Sequence, residues 1–136
     1  MNIMKIIVSL AFLFFVTFSS NAQKIFEKNG KFGIQDSLGK TIVRAKYEQI
    51  DDFEFEFFGV KTVNAVARFK EKNKWGVLNT KGDEVLDPIY DNIEKISDFS
   101  NSNLLDVQLN AKWGVYNYNG KEVVKPKYDK PIGVSF

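Results

Sequence analysis

Three acids stand beside three tyrosines at matching places in the chain, as Tyr47-Glu48, Tyr90-Asp91 and Tyr128-Asp129. Two carboxylates flanking one bond are what glycoside hydrolysis needs, so the recurrence raises that chemistry. It also argues against it. An acid written into every copy of a repeated phrase serves the copy's own architecture, most simply as the hydrogen-bond acceptor of a turn. The tyrosines invite carbohydrate stacking, yet at a fixed repeat position a tyrosine reads more simply as a core residue with its hydroxyl bonded. A second grouping, Asp51-Asp52-Phe53-Glu54-Phe55-Glu56-Phe57-Phe58-Gly59, alternates acid with phenylalanine. As a strand it places Phe53, Phe55 and Phe57 on one face and Asp52, Glu54 and Glu56 on the other. Calcium requires roughly six to eight converging oxygens, and a row of outward carboxylates does not converge. The stretch is therefore read as an amphipathic strand whose phenylalanines, with Phe58, are a candidate partner surface.

The chain contains no cysteine and no histidine. Without histidine there is no His-dependent triad, no imidazole acid or base and no ordinary zinc site. Without cysteine there are no disulfides and nothing to acylate as a lipoprotein anchor, so the fold rests on burial alone. No catalytic residue, cofactor site or metal site is expected.

The elements that must position these residues are announced by a phrase written three times. Lys74-Trp75-Gly76-Val77 returns as Lys112-Trp113-Gly114-Val115 and, in altered form, as Lys31-Phe32-Gly33-Ile34. Gly33, Gly76 and Gly114 are followed at fixed offsets by Gly39, Gly82 and Gly120, and then by Tyr47, Tyr90 and Tyr128. Before each phrase an apolar residue, Phe26, Phe69 or Val107, marks an opening strand, and Asn29-Gly30 is a strong turn signal. The phrase itself alternates with period two, Trp75 and Val77 pointing one way and Gly76 and Leu78 the other. Asp36, Asn79 and Asn117 begin turns that end on Gly39, Gly82 and Gly120, the residue types of a type I turn in a hairpin.

The return strands carry Ile42-Val43, Val85-Leu86 and Val123-Val124, and then reach Ala45, Pro88 and Pro126. Proline offers no N–H to a ladder, so this place is a bulge, a strand start or an unpaired edge. No window sustains a helical period. The expected fold is all-β, three repeats of antiparallel hairpins forming a short twisted solenoid or curling towards a barrel.

The large residue at 32, 75 or 113 is the expected core anchor, an indole being worth on the order of 5 kcal/mol before entropy. Trp75→Ala and Trp113→Ala are each expected to cost ~3 to 5 kcal/mol. The adjacent glycine is read as clearance for a ring or a neighbouring backbone.

At 136 residues the sequence allows one domain. Residues 1–22 read as a secretory signal peptide: Lys5, an apolar stretch from Ile6 to Phe18, and the small residues Ser20 and Ala22 before Gln23. Residues 23–136 form the repeat domain, with copies at about 24–58, 64–100 and 104–136. Loss of Lys5 leaves 18 basic and 17 acidic residues, a near-neutral balance that gives no electrostatic reason to expect nucleic acid. After the third copy only Lys130 to Phe136 remains, so its last strand needs completion from elsewhere in the chain or from a partner.

The Lys-Trp-Gly-Val phrase, the glycine that follows it and the Pro-x-Tyr-Asp of Pro88 to Asp91 and Pro126 to Asp129 resemble the WG repeat. The resemblance covers roughly residues 24 to 130, with the first copy lacking both the tryptophan and the proline. It implies β-rich repeats in bacterial, often exported, proteins and no shared catalytic residues. The expected function is an exported, non-enzymatic module that presents a β surface to another envelope or extracellular protein. The alternative is a cell-surface glycan-binding module, which needs exposed Tyr116, Tyr118 or the Phe53 to Phe58 run. The oligomeric state is not specified.

Overall fold

The computed structural model describes residues 23–51, 56–57, 60–61, 65–96 and 103–133, with backbone alone at 56–57 and 60–61. The signal-peptide segment and Phe53, Phe55 and Phe58 lie outside the described residues. In chain order the strands are β1 (Lys24–Lys28), β2 (Lys31–Gln35), β3 (Thr41–Tyr47) and β4 (Gln49–Ile50), then β5 (Glu56–Phe57) and β6 (Val60–Lys61). There follow β7 (Val66–Glu71), β8 (Lys74–Asn79), β9 (Glu84–Tyr90), β10 (Asn92–Lys95), β11 (Leu104–Leu109), β12 (Lys112–Asn117) and β13 (Glu122–Tyr128). Every pairing is antiparallel. No helix occurs among the described residues.

Three sheets carry the architecture, ordered β1-β2-β3, β4-β7-β8-β9 and β10-β11-β12-β13. The short strand after each tyrosine does not stay with its own sheet. β4 leaves the first repeat to pair with β7, and β10 leaves the second to pair with β11. Each later sheet thus takes its first strand from the preceding unit. The β5–β6 pair is separate, within the insertion between β4 and β7.

The sheets stack without closing, and period-two alternation decides which side chain meets which neighbour. The middle sheet turns Ile50, Ala67, Phe69 and Leu78 towards Ile34 and Tyr47 in one core. Its other face sends Val66, Val77, Leu86 and Tyr90 towards Leu105, Val107 and Tyr118 in a second core. Sheet-on-sheet burial therefore occurs twice, and the middle unit takes part both times.

Within each sheet the two kinds of turn hold the register. At Asp36, Asn79 and Asn117 the side-chain oxygen accepts N–H groups two and four residues on, from Leu38 and Lys40, Lys81 and Asp83, and Asn119 and Lys121. The closing glycines sit at φ +83°, +85° and +81° for Gly39, Gly82 and Gly120, a left-handed conformation that L side chains resist. The shorter turns at 29–30, 72–73 and 110–111 have two successive positive φ values, the hairpin geometry Asn-Gly favours. Only the first has the glycine. Lys72, Asn73, Asn110 and Ala111 adopt it without one.

Gly33, Gly76 and Gly114 each face a bulge. Trp75 pairs with Tyr90 and Val77 with Leu86, so Asp87, Pro88 and Ile89 all stand opposite Gly76. The same shift occurs between Phe32 and Ile34 and between Trp113 and Val115, so Pro126, like Pro88, lies in a bulge. The bulged backbone folds in over the glycine. A Cβ at Gly33 would lie 2.5 Å from the Val43 carbonyl oxygen, and one at Gly114 2.5 Å from that of Val124. At Gly76 it would meet the Phe69 ring at 2.5 Å and the Leu86 oxygen at 2.7 Å. Ala45 in the first copy shows that the bulge forms without proline.

The tryptophans hold a different place from the one their size suggests. Trp113 is buried, but Trp75 and Phe32 are half-buried at the margins of the cores. The largest fully enclosed side chains are Tyr47 and Phe69. Phe32, Trp75 and Trp113 are each second in their strands, beside a hairpin turn, whereas Phe69 lies mid-sheet opposite Gly76 and is fully enclosed.

Candidate functional site

Two of the three tyrosine–acid pairs singled out for possible chemistry lie at the junctions between sheets. At the first junction the Tyr47 ring packs on Phe69 with centroids 4.3 Å apart, and its hydroxyl donates to Glu84 Oε1 at 2.6 Å. Burial, and then the Glu84 carboxylate, push the Tyr47 hydroxyl well above the ordinary tyrosine range. Glu48 accepts the Lys72 N–H at 2.8 Å and the Asn73 N–H at 3.3 Å, both from the left-handed turn of the next unit. Gly82 closes its own turn against Ile42 and Val43 of β3.

The second junction repeats this plan with one insertion. Tyr90 is hydrogen-bonded to Tyr116, whose hydroxyl donates to Glu122 Oε2 at 2.8 Å. The two rings meet edge to face, 5.9 Å apart. Burial raises the pKa of both tyrosines. Asp91 accepts the Ala111 N–H at 3.3 Å and pairs with Lys74, and these contacts, Lys74 first, hold its carboxyl below the usual range. Gly120 packs against Val85 and Leu86.

Between the second and third sheets lies a cavity of about 300 Å³ lined by Asp51, Val66, Arg68, Ile93 and Glu94 among others. Its arginine is already committed. Arg68 pairs with Asp51, donates to the Ile93 carbonyl at 2.8 Å, and lies 4.4 Å over the Trp75 ring. It ties three strands together. Among the described residues no three acids gather to hold a metal ion.

A family model described as "WG containing repeat" matches residues 32–75, 75–113 and 113–133. The chain belongs to the WG-repeat family. No curated protein and no solved structure matches it. Each match begins on the strand that carries the phrase, β2, β8 or β12, and the first two run on to the phrase-bearing strand of the sheet that follows. That phase follows the lending of β4 and β10. It differs from copies begun at the opening strand, at about 24, 64 and 104.

The WG units are alike in sequence but not in surroundings. Tyr47 and Tyr90 are enclosed by the next unit, while Tyr128 is 46% exposed. Val123 is 53% exposed where Ile42 and Val85 are half-buried. Asp129 has Lys112 as its partner, and that contact lowers its pKa. Around Val124, Tyr128, Asp129 and Ile132 the surface forms an open cleft of about 550 Å³.

The aromatic platform required for glycan stacking is not found at Tyr116 and Tyr118. Tyr116 is half-buried with its hydroxyl bonded, and Tyr118 is buried in the second core. Of the candidate partner surface only the Phe57 backbone is described, in β5 opposite Val60. Sequence reasoning passed over Glu84 and Glu122, which receive the tyrosine contacts. Their signal was present as an acid two residues after Gly82 and Gly120.

Proposed function

We propose that the protein is an exported, non-enzymatic WG-repeat module that binds another protein through the exposed end of its sheet stack. The observation that carries this reading is the cleft at the third sheet. The tyrosine and acid and the first residue of the aliphatic pair used at each internal junction are uncovered there, as Tyr128, Asp129 and Val123. An apolar patch rimmed by charge, with the chemistry of an interface used twice in the same molecule, is a protein-binding surface. The non-enzymatic reading is supported by the engagement of Glu48 and Asp91 as turn acceptors, which occupies the carboxylates a hydrolytic reading would need. Export to the cell envelope is supported by the signal-like composition of residues 1–22.

A photo-crosslinking residue at Val123, compared with one at the exposed Lys81, tests the site in cells. Protein adducts at position 123 and none at 81 are expected. Equal labelling at both positions, or at neither, would remove the end face as the binding surface.

A further inference from the structure

We infer that the partner for the exposed end of the third sheet is the first sheet of a second copy of this chain, docked head to tail as consecutive sheets are docked within one chain. This names the partner within the binding function proposed above and rests on it.

An internal junction has four fastenings. A tyrosine packs on the residue opposite the central glycine, as Tyr47 does on Phe69. The following acid accepts N–H groups of the next left-handed turn. The turn glycine of the next unit presses on the aliphatic pair. The post-tyrosine strand adds to the edge of the next sheet. One half of each fastening stands uncovered at the third sheet, in Tyr128, Asp129, Val123 and Lys130-Pro131.

The complementary halves stand at the first sheet. Phe26 is the counterpart of Phe69, paired with Gly33 as Phe69 is with Gly76. The Asn29-Gly30 turn has the same positive φ values, and among the described residues no carboxylate accepts its N–H groups. Gly39 has nothing within 4 Å of a Cβ position, where Gly82 and Gly120 are crowded by the preceding unit. Among the described residues nothing pairs with the outer edge of β1, the place that β4 and β10 take in the other sheets.

Register and charge agree with the docking. Gln49 lies opposite Lys70 and Ile50 opposite Phe69, which puts Lys130 opposite Glu27 and Pro131 opposite Phe26. Lys130 and Glu27 are then an oppositely charged cross-strand pair. Proline is tolerated at that place because the ladder does not use its N–H: Asp51 donates to the Arg68 carbonyl, and the Ile93 N–H turns to its neighbour's Asn92 side chain. Two features weaken the contact relative to the internal ones. Thr41 stands where Glu84 and Glu122 receive the tyrosine, and Asp106 holds the Ile132 and Gly133 N–H groups at 3.0 and 2.8 Å. The association is therefore reversible and dependent on concentration. Because it joins unlike faces, it extends into open chains unless the rotation closes a ring.

Sedimentation velocity of the purified full chain over a hundredfold range of concentration tests the inference. Mass is expected to rise above the monomer. Phe26→Glu at one face and Tyr128→Glu at the other should each weaken self-association at least tenfold. Mixed together, the two variants should form a dimer and nothing larger, because each keeps one intact face. Glu27→Lys and Val123→Glu, both at exposed positions, serve if either ring variant melts early. A monomer at every concentration, or association unaffected by these substitutions, overturns the head-to-tail arrangement. A monomer that still forms adducts with a different protein at position 123 keeps the binding function and discards only the second copy as partner.

Discussion

The two internal junctions join the same backbone with different side chains. At the first, a large residue on the opening strand, Phe69, faces the preceding sheet beside Leu78, and Tyr47 reaches Glu84 directly. At the second, the opening strand carries the smaller Val107, the position of Leu78 becomes Tyr116, and the tyrosine contact to Glu122 passes through that added hydroxyl. Volume removed at one position is returned at its neighbour. What the repeat preserves is the connection, from a buried tyrosine to a carboxylate of the next unit, with the residues between free to change. Exchanging buried side chains at constant total volume is the form of substitution that folded proteins tolerate best.

Truncating the opening-strand residue should break the junctions unequally. Phe69→Ala is expected to cost ~3 to 5 kcal/mol and Val107→Ala about 2 kcal/mol, measured by urea unfolding, because the larger ring leaves the larger cavity. Equal losses would mean that the Phe69 site collapses around the deletion. Next in size is the hydroxyl contact. Tyr47→Phe removes a hydrogen bond to a charged acceptor and is expected to cost about 1.5 to 3 kcal/mol. Tyr116→Phe, which interrupts the path at its middle and strands the Tyr90 hydroxyl, should cost about the same.

Alkali sharpens the point. Tyr47, Tyr90 and Tyr116 all have raised pKa values, while an unfolded tyrosine ionises near 10.0, so the unfolded chain releases its protons first. Stability should be full below pH 10 and fall as pH rises above it, with a shallower fall in Tyr47→Phe, as thermal melts across that range would show. An unchanged slope would separate Tyr47 from the transition. The smallest effect belongs to the turns. Ala111→Gly should stabilise by about 1 kcal/mol by relieving a left-handed alanine, and Gly30→Ala should destabilise by a similar amount. A denaturant midpoint that does not move in Ala111→Gly would show that the added freedom of glycine in the unfolded chain offsets the relieved strain.

The repeated glycines, the turns begun by Asp36, Asn79 and Asn117 and the bulging prolines were legible in the sequence because each acts within a few residues of itself. The all-β hairpin array followed from them. The choice of anchor was not. Trp75 is larger than Phe69, but which ring lies mid-sheet depends on a register set by a left-handed turn at Lys72-Asn73 that contains no glycine. The junction contacts were also hidden, because Tyr47 and Glu84 are thirty-seven residues apart and belong to different copies. An aligned reading of the copies shows an acid at 84 and at 122; it does not show that a tyrosine from the copy before will reach it.

The lending of β4 and β10 gives the fold a direction in time. As the chain emerges during synthesis, the strand following each tyrosine is made before the sheet it belongs to, and waits for the hairpin that follows it. Each hairpin then forms beside a strand already tethered a few residues away, a short loop to close rather than a long search. Except across the β5–β6 insertion, assembly is expected to proceed by local steps from the amino end. A lesion at an early tyrosine should therefore delay every later sheet, while one at a late tyrosine leaves the earlier sheets to form on schedule.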